Sequence, residues 1–206
     1  MSIKQQFSIH LKEADNKLIT HLKNKHQKEF NTLNDFFNTN VPGTKIIIEP
    51  TSTNLKKSPK YNIYNSFENI SYYAINSLHP LKHHIKLFDN NDALIAKIDE
   101  KINPPAKIFQ NNFSVKLNGK EPEMLNFSNI INWNSWNAKK IIRNKNTFII
   151  YDNNNNVLLT VKKHFNGKAP IKGFYLNVNN KNDELYAIIF VLALHSTELD
   201  KIEPKG

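Results

Sequence analysis

The chain contains no cysteine and only five glycines among its 206 residues. Without cysteine there can be no disulfide framework, no thiol catalysis and no cysteine-based metal site. So few glycines argue against a glycine-rich phosphate-binding loop, and no nucleotide, serine-hydrolase or zinc-protease motif is present. The turn at Asp89 departs from an EF-hand because Ala93 and Leu94 stand where a ligand and a glycine are needed. We therefore predict a non-enzymatic protein without metal or cofactor.

Long apolar runs and arginine are also scarce. No run approaches the roughly 20 residues that span a bilayer, and the polar start Met1–Gln6 is unlike a secretory signal. The predicted location is cytoplasmic, with peripheral attachment to a membrane as an addition. The net charge of +10 favours anionic partners, although a merely solvated lysine-rich surface is the alternative. Because Arg143 is the only arginine, nucleic acid ranks last among those partners.

One apolar stretch, Leu185–Leu194, organises the rest of the chain. Its only polar side-chain group is the Tyr186 hydroxyl. Asn182 and Asp183 offer N-cap chemistry before it. A helix that is apolar on every side has to be surrounded by protein or lipid, and this stretch is about half the length of a membrane span. The sequence therefore predicts a central helix over 182–195, with a buried parallel strand as the alternative.

A hairpin pattern occurs twice. Apolar residues flank the turn 89–92, and the same arrangement returns without gaps 63 positions later, so that Ile85 corresponds to Phe148. Asn and Asp tolerate the backbone angles of tight turns. Two β halves, roughly 61–120 and 121–180, are predicted by duplication, while chance similarity of two Asn-rich hairpins is the alternative.

These patterns together predict a mainly β fold. We expect a duplicated antiparallel β-barrel over 61–206, closed around the hydrophobic C-terminal helix. Residues 43–60 are predicted to form a short strand and a linker. Residues 1–42 are predicted to form an N-terminal helical extension.

The N-terminal extension has apolar residues three or four positions apart, which indicates an amphipathic helix. Its stripe can pack on the barrel, on a second copy or on a partner. The Val41-Pro42-Gly43 break and the polar stretch 51–60 separate it from the barrel, so we favour a docking helix that contacts a protein partner or mediates self-association. The docking residues are Phe7, Leu11, Leu18, Leu22, Phe30, Leu33 and Phe37.

The arrangement resembles the tubby C-terminal-like domain family, in its LURP-one-related and bacterial tubby-like branch. The residues that carry the resemblance span about 61–195: the two Asp-Asn-Asn hairpins, Lys162-Lys163, Tyr175, Val178, Asp183 and the apolar helix. The resemblance implies a barrel around a helix, and phosphoinositide binding through basic surface residues. That basic motif is not matched here residue by residue. Scramblase activity, found in a related fold, is not expected because the chain lacks the palmitoylated cysteines.

A short aromatic and basic segment is the predicted recognition surface. It combines two tryptophans with a following basic run, a combination that suits an interface or an anionic headgroup. The alternative places the tryptophans in the barrel core. We predict a binding module that docks a protein partner or an anionic phospholipid surface; the alternative is an adaptor, chaperone or immunity-type protein acting through the N-terminal helix. The surface residues are Trp133, Trp136, Lys139, Lys140, Arg143 and Lys145.

Overall fold

A single antiparallel sheet of twelve strands wraps around one helix in the computed structural model. The structure describes residues 43–51, 59–65, 69–79, 82–101, 112–127, 131–133, 135–144, 147–165 and 171–202. The predicted fold class, a mainly β antiparallel barrel with a C-terminal helix, is confirmed. The N-terminal helical extension predicted over 1–42 lies outside the described residues.

The strands follow one another around the barrel in the order of the sequence. Each strand except β8 pairs with the next, and β1 pairs with β12. The unpaired seam lies between β8 and β9, whose Cα atoms approach within 8 Å. The strands are β1 Thr44–Pro50, β2 Lys60–Asn65, β3 Asn69–His79, β4 Lys82–Asp89, β5 Leu94–Lys101, β6 Asn112–Leu117, β7 Glu123–Phe127, β8 Ile131–Asn132, β9 Ala138–Asn144, β10 Thr147–Asp152, β11 Val157–Phe165 and β12 Ile171–Val178.

Strand β1 is part of the barrel sheet. It lies between β2 and β12, with Ile47 in register with Tyr64 on one side and Tyr175 on the other. The sheet therefore begins at Thr44, ahead of the barrel start that the sequence predicts at Tyr61. The β1–β12 ladder also closes the ring, so β1 is essential to the architecture.

The helix α1 spans Glu184–Ile202 and is preceded by a 3-10 turn, Lys181–Asp183. Asn180 caps that turn by accepting a hydrogen bond from the Asn182 backbone N–H, so capping occurs two residues earlier than predicted. The helix also continues past the predicted end at His195. Its buried part includes Ser196, which is 0% exposed.

Residues 187–194 of α1 are at most 2% exposed. They contact the inward-facing side chains of the strands, which alternate with outward-facing ones. Burial of a large apolar side chain contributes roughly 1.5–3 kcal/mol. The helix is thus the core on which the sheet closes, as the apolar stretch predicts.

The two predicted hairpins have the same turn chemistry. Asp89 and Asp152 each use Oδ1 to accept two backbone N–H groups, at 2.8–2.9 Å. The donors are Asn91 and Ala93 in the first turn and Asn154 and Asn156 in the second. In each turn the carboxylate oxygen thus accepts hydrogen bonds from two backbone N–H groups that the tight turn would otherwise leave without an acceptor.

The backbones of the two hairpins also match at the same offset of 63. Asp92 and Asn155 have positive φ angles of 64° and 63°. The ladder is interrupted after Leu87 in the first hairpin and after Ile150 in the second. The match between the two halves therefore extends from the sequence pattern to the turn and the bulge of the hairpins β4–β5 and β10–β11.

Among the helices that the structure describes, none has the length and apolar character needed to cross a bilayer.

Candidate functional site

The tryptophans of the predicted surface are buried. Trp133 and Trp136 are each 3% exposed and belong to the main core. The two rings pack edge-on to each other. Trp133 also packs edge-on to Tyr186, with ring centroids 5.1 Å apart, while Trp136 lies nearly parallel to Tyr186 at 6.5 Å. The prediction that they form an exposed recognition surface is therefore wrong, and they instead seal the barrel end at the start of α1.

The basic residues of the same segment do not form a surface with the tryptophans. Lys139 and Lys140 are both exposed at the start of β9, where a bulge breaks the alternation of inward and outward residues. Arg143 lies in β9, in register with Phe148, but its side chain and the whole of Lys145 are outside the described residues. The seven apolar residues of the predicted docking helix are outside them as well.

A different basic surface lies on the outer wall of β4, β5 and β6. Lys86 is in register with Lys97, and Lys97 is in register with Lys116. All three side chains are exposed, and the residues next to Lys97 on β5 point into the core. Residues directly opposite in an antiparallel pair have Cβ atoms about 4.5–5.5 Å apart. These three residues, which we name the lysine row, therefore place three positive charges side by side.

Among the residues that the structure describes, none forms an ion pair with the three ammonium groups of the lysine row. The nearest acidic side chain along β5, Asp99, is bound by the His84 ring at 2.8 Å. Like charges directly opposite each other are destabilising, so the row costs free energy in the isolated protein. A binding role for an anion gives that cost a reason.

A groove adjoins the row at the ends of β5 and β6. It has a volume of about 220 Å³, and Lys97 and Lys116 line it together with the half-buried Leu94 and Ile95. Its floor is fixed by a hydrogen bond of 2.9 Å from the Asn118 N–H to the Ile95 carbonyl oxygen. The groove thus combines two cations with apolar walls.

An aromatic pair on β3 and β4 lies at the same end of the strands as the groove, since Phe88 is in register with Leu94. Tyr73 and Phe88 stack with ring centroids 4.9 Å apart and an interplanar angle of 11°. They lie two residues along the strands from Ile75 and Lys86, on the same outer face. The Tyr73 hydroxyl donates to Asp92 at 2.7 Å, which holds the ring in place. Lysines beside half-buried aromatic side chains are typical of surfaces that contact a membrane interface.

A second polar group of residues lies inside the barrel, near the far end of α1. The Tyr61 hydroxyl and His195 Nδ1 are 3.0 Å apart, and Asn76 Nδ2 lies 3.0 Å from His83 Nδ1. All four side chains are buried. Burial, together with the nearby Lys163 and His83, lowers the pKa of His195 to about 3. Burial raises the pKa of Tyr61. Both groups are therefore neutral near pH 7 and tie α1 to the wall.

Within the described ranges there is no group of three or more His, Asp or Glu side chains placed to hold a metal ion. Comparisons with protein-family models, with curated proteins and with solved structures found no match to this chain.

Proposed function

We propose that this chain is a tubby-like barrel protein whose lysine row binds the phosphorylated headgroups of an anionic membrane surface. The observation that carries the proposal is the in-register placement of Lys86, Lys97 and Lys116 on three adjacent strands. A lysine near an acidic bilayer contributes about 1 kcal/mol of binding free energy. Three such contacts give a useful but reversible affinity.

The surroundings of the row favour a membrane over a free anion. The groove beside Lys97 has apolar walls, and the Tyr73–Phe88 pair adds aromatic surface at the same end of the strands. Aromatic rings prefer the headgroup level of a bilayer, where one side is apolar and the other is wet. A soluble phosphate would use the lysines alone.

The first test compares two double charge reversals. The Lys97→Glu/Lys116→Glu variant should bind phosphatidylcholine vesicles that contain phosphatidylglycerol or a phosphoinositide at least about tenfold more weakly than the parent, since about 1 kcal/mol is lost per lysine. The control, Lys139→Glu/Lys140→Glu, makes the same change in net charge on β9, which lies three strands from β6 and four from β5 across the β8–β9 seam. The measurement is co-sedimentation with vesicles at low salt and at physiological salt.

The two variants distinguish binding at the lysine row from attraction by bulk charge. Weak binding by the first variant with near-parental binding by the second supports the lysine row as the site. Equal loss in both variants would show that bulk charge attracts the protein, and would contradict the proposal. Absence of binding by the parent at low salt would contradict it too.

The second test asks whether the row is kept at a cost in stability. Lys97→Gln removes the central charge, so it should raise the free energy of unfolding by about 0.2–1 kcal/mol, because two like-charge cross-strand pairs disappear. The same variant should bind acidic vesicles more weakly. Urea unfolding measures the first quantity and co-sedimentation the second. A variant that loses stability while keeping full vesicle binding would show that Lys97 has only a structural role.

A further inference from the structure

A second apolar cluster lies on the outside of the barrel. Ile47, Tyr64 and Tyr175 form it, apart from the main core. Their chain neighbours Ile46, Ile63 and Leu176 point inward to α1, so alternation along the strands places these three side chains on the outer face. The three positions are in register across β12, β1 and β2. They form what we name the outer apolar row.

The outer apolar row is buried although it faces away from the core. Ile47 is 0%, Tyr175 6% and Tyr64 9% exposed. Asn177 on the same face is 2% exposed and accepts a hydrogen bond from Lys45 Nζ at 2.6 Å. Burial lowers the pKa of Lys45. Every helix and strand that the structure describes is either in the sheet or inside it, so the covering segment has to come from elsewhere in the chain.

Gly43 shows where such a segment joins the barrel. Its φ is +144°, and a Cβ added there would lie 2.6 Å from Asn177 Oδ1 and 2.6 Å from the Val178 carbonyl oxygen. Only glycine can make this close approach. The chain before Gly43 is therefore joined to the sheet next to an outer-face residue, four residues before Ile47.

The stretches that adjoin β1, β2 and β12 in the sequence contain few large apolar residues. Stretches 52–58 and 66–68 have one large apolar residue each, Leu55 and Phe67, and 166–170 has none. Residues 1–42 have seven at helical spacing. Ten residues of helix are about 15 Å long, and four residues of strand about 13 Å, so the part that holds Phe30, Leu33 and Phe37 is long enough to reach the row.

We infer that the N-terminal segment 1–42 packs its apolar stripe on the outer apolar row of its own barrel. The row offers one aliphatic and two aromatic side chains on three adjacent strands, and the stripe offers aromatic and aliphatic side chains one helical turn apart. The segment is then an integral outer layer of the domain, in contrast to the separable docking helix that the sequence favours.

The experiment uses the absence of cysteine to place a single reporter thiol. In the full chain, Tyr64→Cys should react with a maleimide at least tenfold more slowly than Ile142→Cys, which replaces an outer-face residue that is 43% exposed. Adding Leu33→Asp/Phe37→Asp should speed the labelling at position 64 by at least tenfold and leave position 142 unchanged. Equal rates at the two positions, or no effect of the acidic pair, would overturn the inference.

Two further measurements keep the test independent of the Tyr64 substitution and identify the cover. Hydroxyl-radical footprinting of the chain with its own Tyr64 and Tyr175 should show slow oxidation of both, and faster oxidation after Leu33→Asp/Phe37→Asp. Unchanged oxidation would contradict the inference even if the thiol variant fails to fold. Protection that disappears on dilution would assign the cover to a second copy and would also contradict it, whereas protection independent of concentration supports the chain's own segment.

Discussion

Ile189→Asp is expected to unfold the protein. Ile189 is completely buried on α1 and belongs to the main hydrophobic core inside the ring of strands. The change removes an apolar side chain and leaves a carboxylate without solvent or a partner, a combination that costs several kcal/mol. Total stabilities of domains are about 5–15 kcal/mol, so a loss of at least about 5 kcal/mol leaves little or no folded protein. Circular dichroism on heating gives the measurement.

The matched control is Ile142→Asp. It makes the same chemical change on the outer face of β9, where the side chain is 43% exposed. The new carboxylate remains hydrated there, so the cost should stay within about 1 kcal/mol, the range of strand propensity. A thermal transition of Ile189→Asp near that of Ile142→Asp would show that α1 is not enclosed by the sheet.

Acid should destabilise the protein through His195. The pKa of this ring is about 3 in the fold and about 6.5 in an unfolded chain. Above pH 6.5 neither state holds the proton. As the pH falls from about 6.5 towards 3, the unfolded state binds a proton that the folded state refuses, and stability decreases by up to about 1.4 kcal/mol per pH unit. Asp183 and Glu184, whose pKa values are raised by burial, act in the opposite direction.

The contribution of His195 is isolated by His195→Gln, which retains a polar partner for Tyr61 but does not titrate. Urea midpoints at pH 7.5, 6.5, 5.5 and 4.5 should fall steeply for the parent and less steeply for the variant. The difference between their free energies of unfolding should grow by about 2.3 kcal/mol from pH 6.5 to pH 4.5, because an unfolded His195 is already half protonated at pH 6.5. Parallel curves would show that His195 is accessible to protons in the folded protein.

Most of the fold could be predicted because its signals are local. The apolar stretch before His195 and the turn at Asp89 each identify an element within about ten residues. The position of β1 could not be predicted in the same way. Ile47 pairs with Tyr175, and nothing near Ile47 in the sequence marks a partner more than a hundred residues away.

The candidate site was missed for a related reason. Lys86, Lys97 and Lys116 are ordinary exposed strand residues in the sequence, and only the register of three strands makes them neighbours. The tryptophans stand beside lysines in the sequence, and this proximity predicts a shared surface. The bulge near Lys139 breaks the period of two, so the pattern gave no sign that the tryptophans point inward while the lysines point outward.

Closure of the ring by β1 and β12 has a consequence for synthesis on the ribosome. The strand that completes the ladder ends at Val178, and the helix that fills the interior follows it. A nascent chain therefore carries twelve strands whose apolar inner faces have no filling until α1, which follows them, leaves the exit tunnel. Contacts of such long sequence separation form slowly, and exposed strand edges promote aggregation. We therefore expect a chaperone that holds β-rich intermediates to protect the nascent chain. Rapid folding should follow once the chaperone releases it.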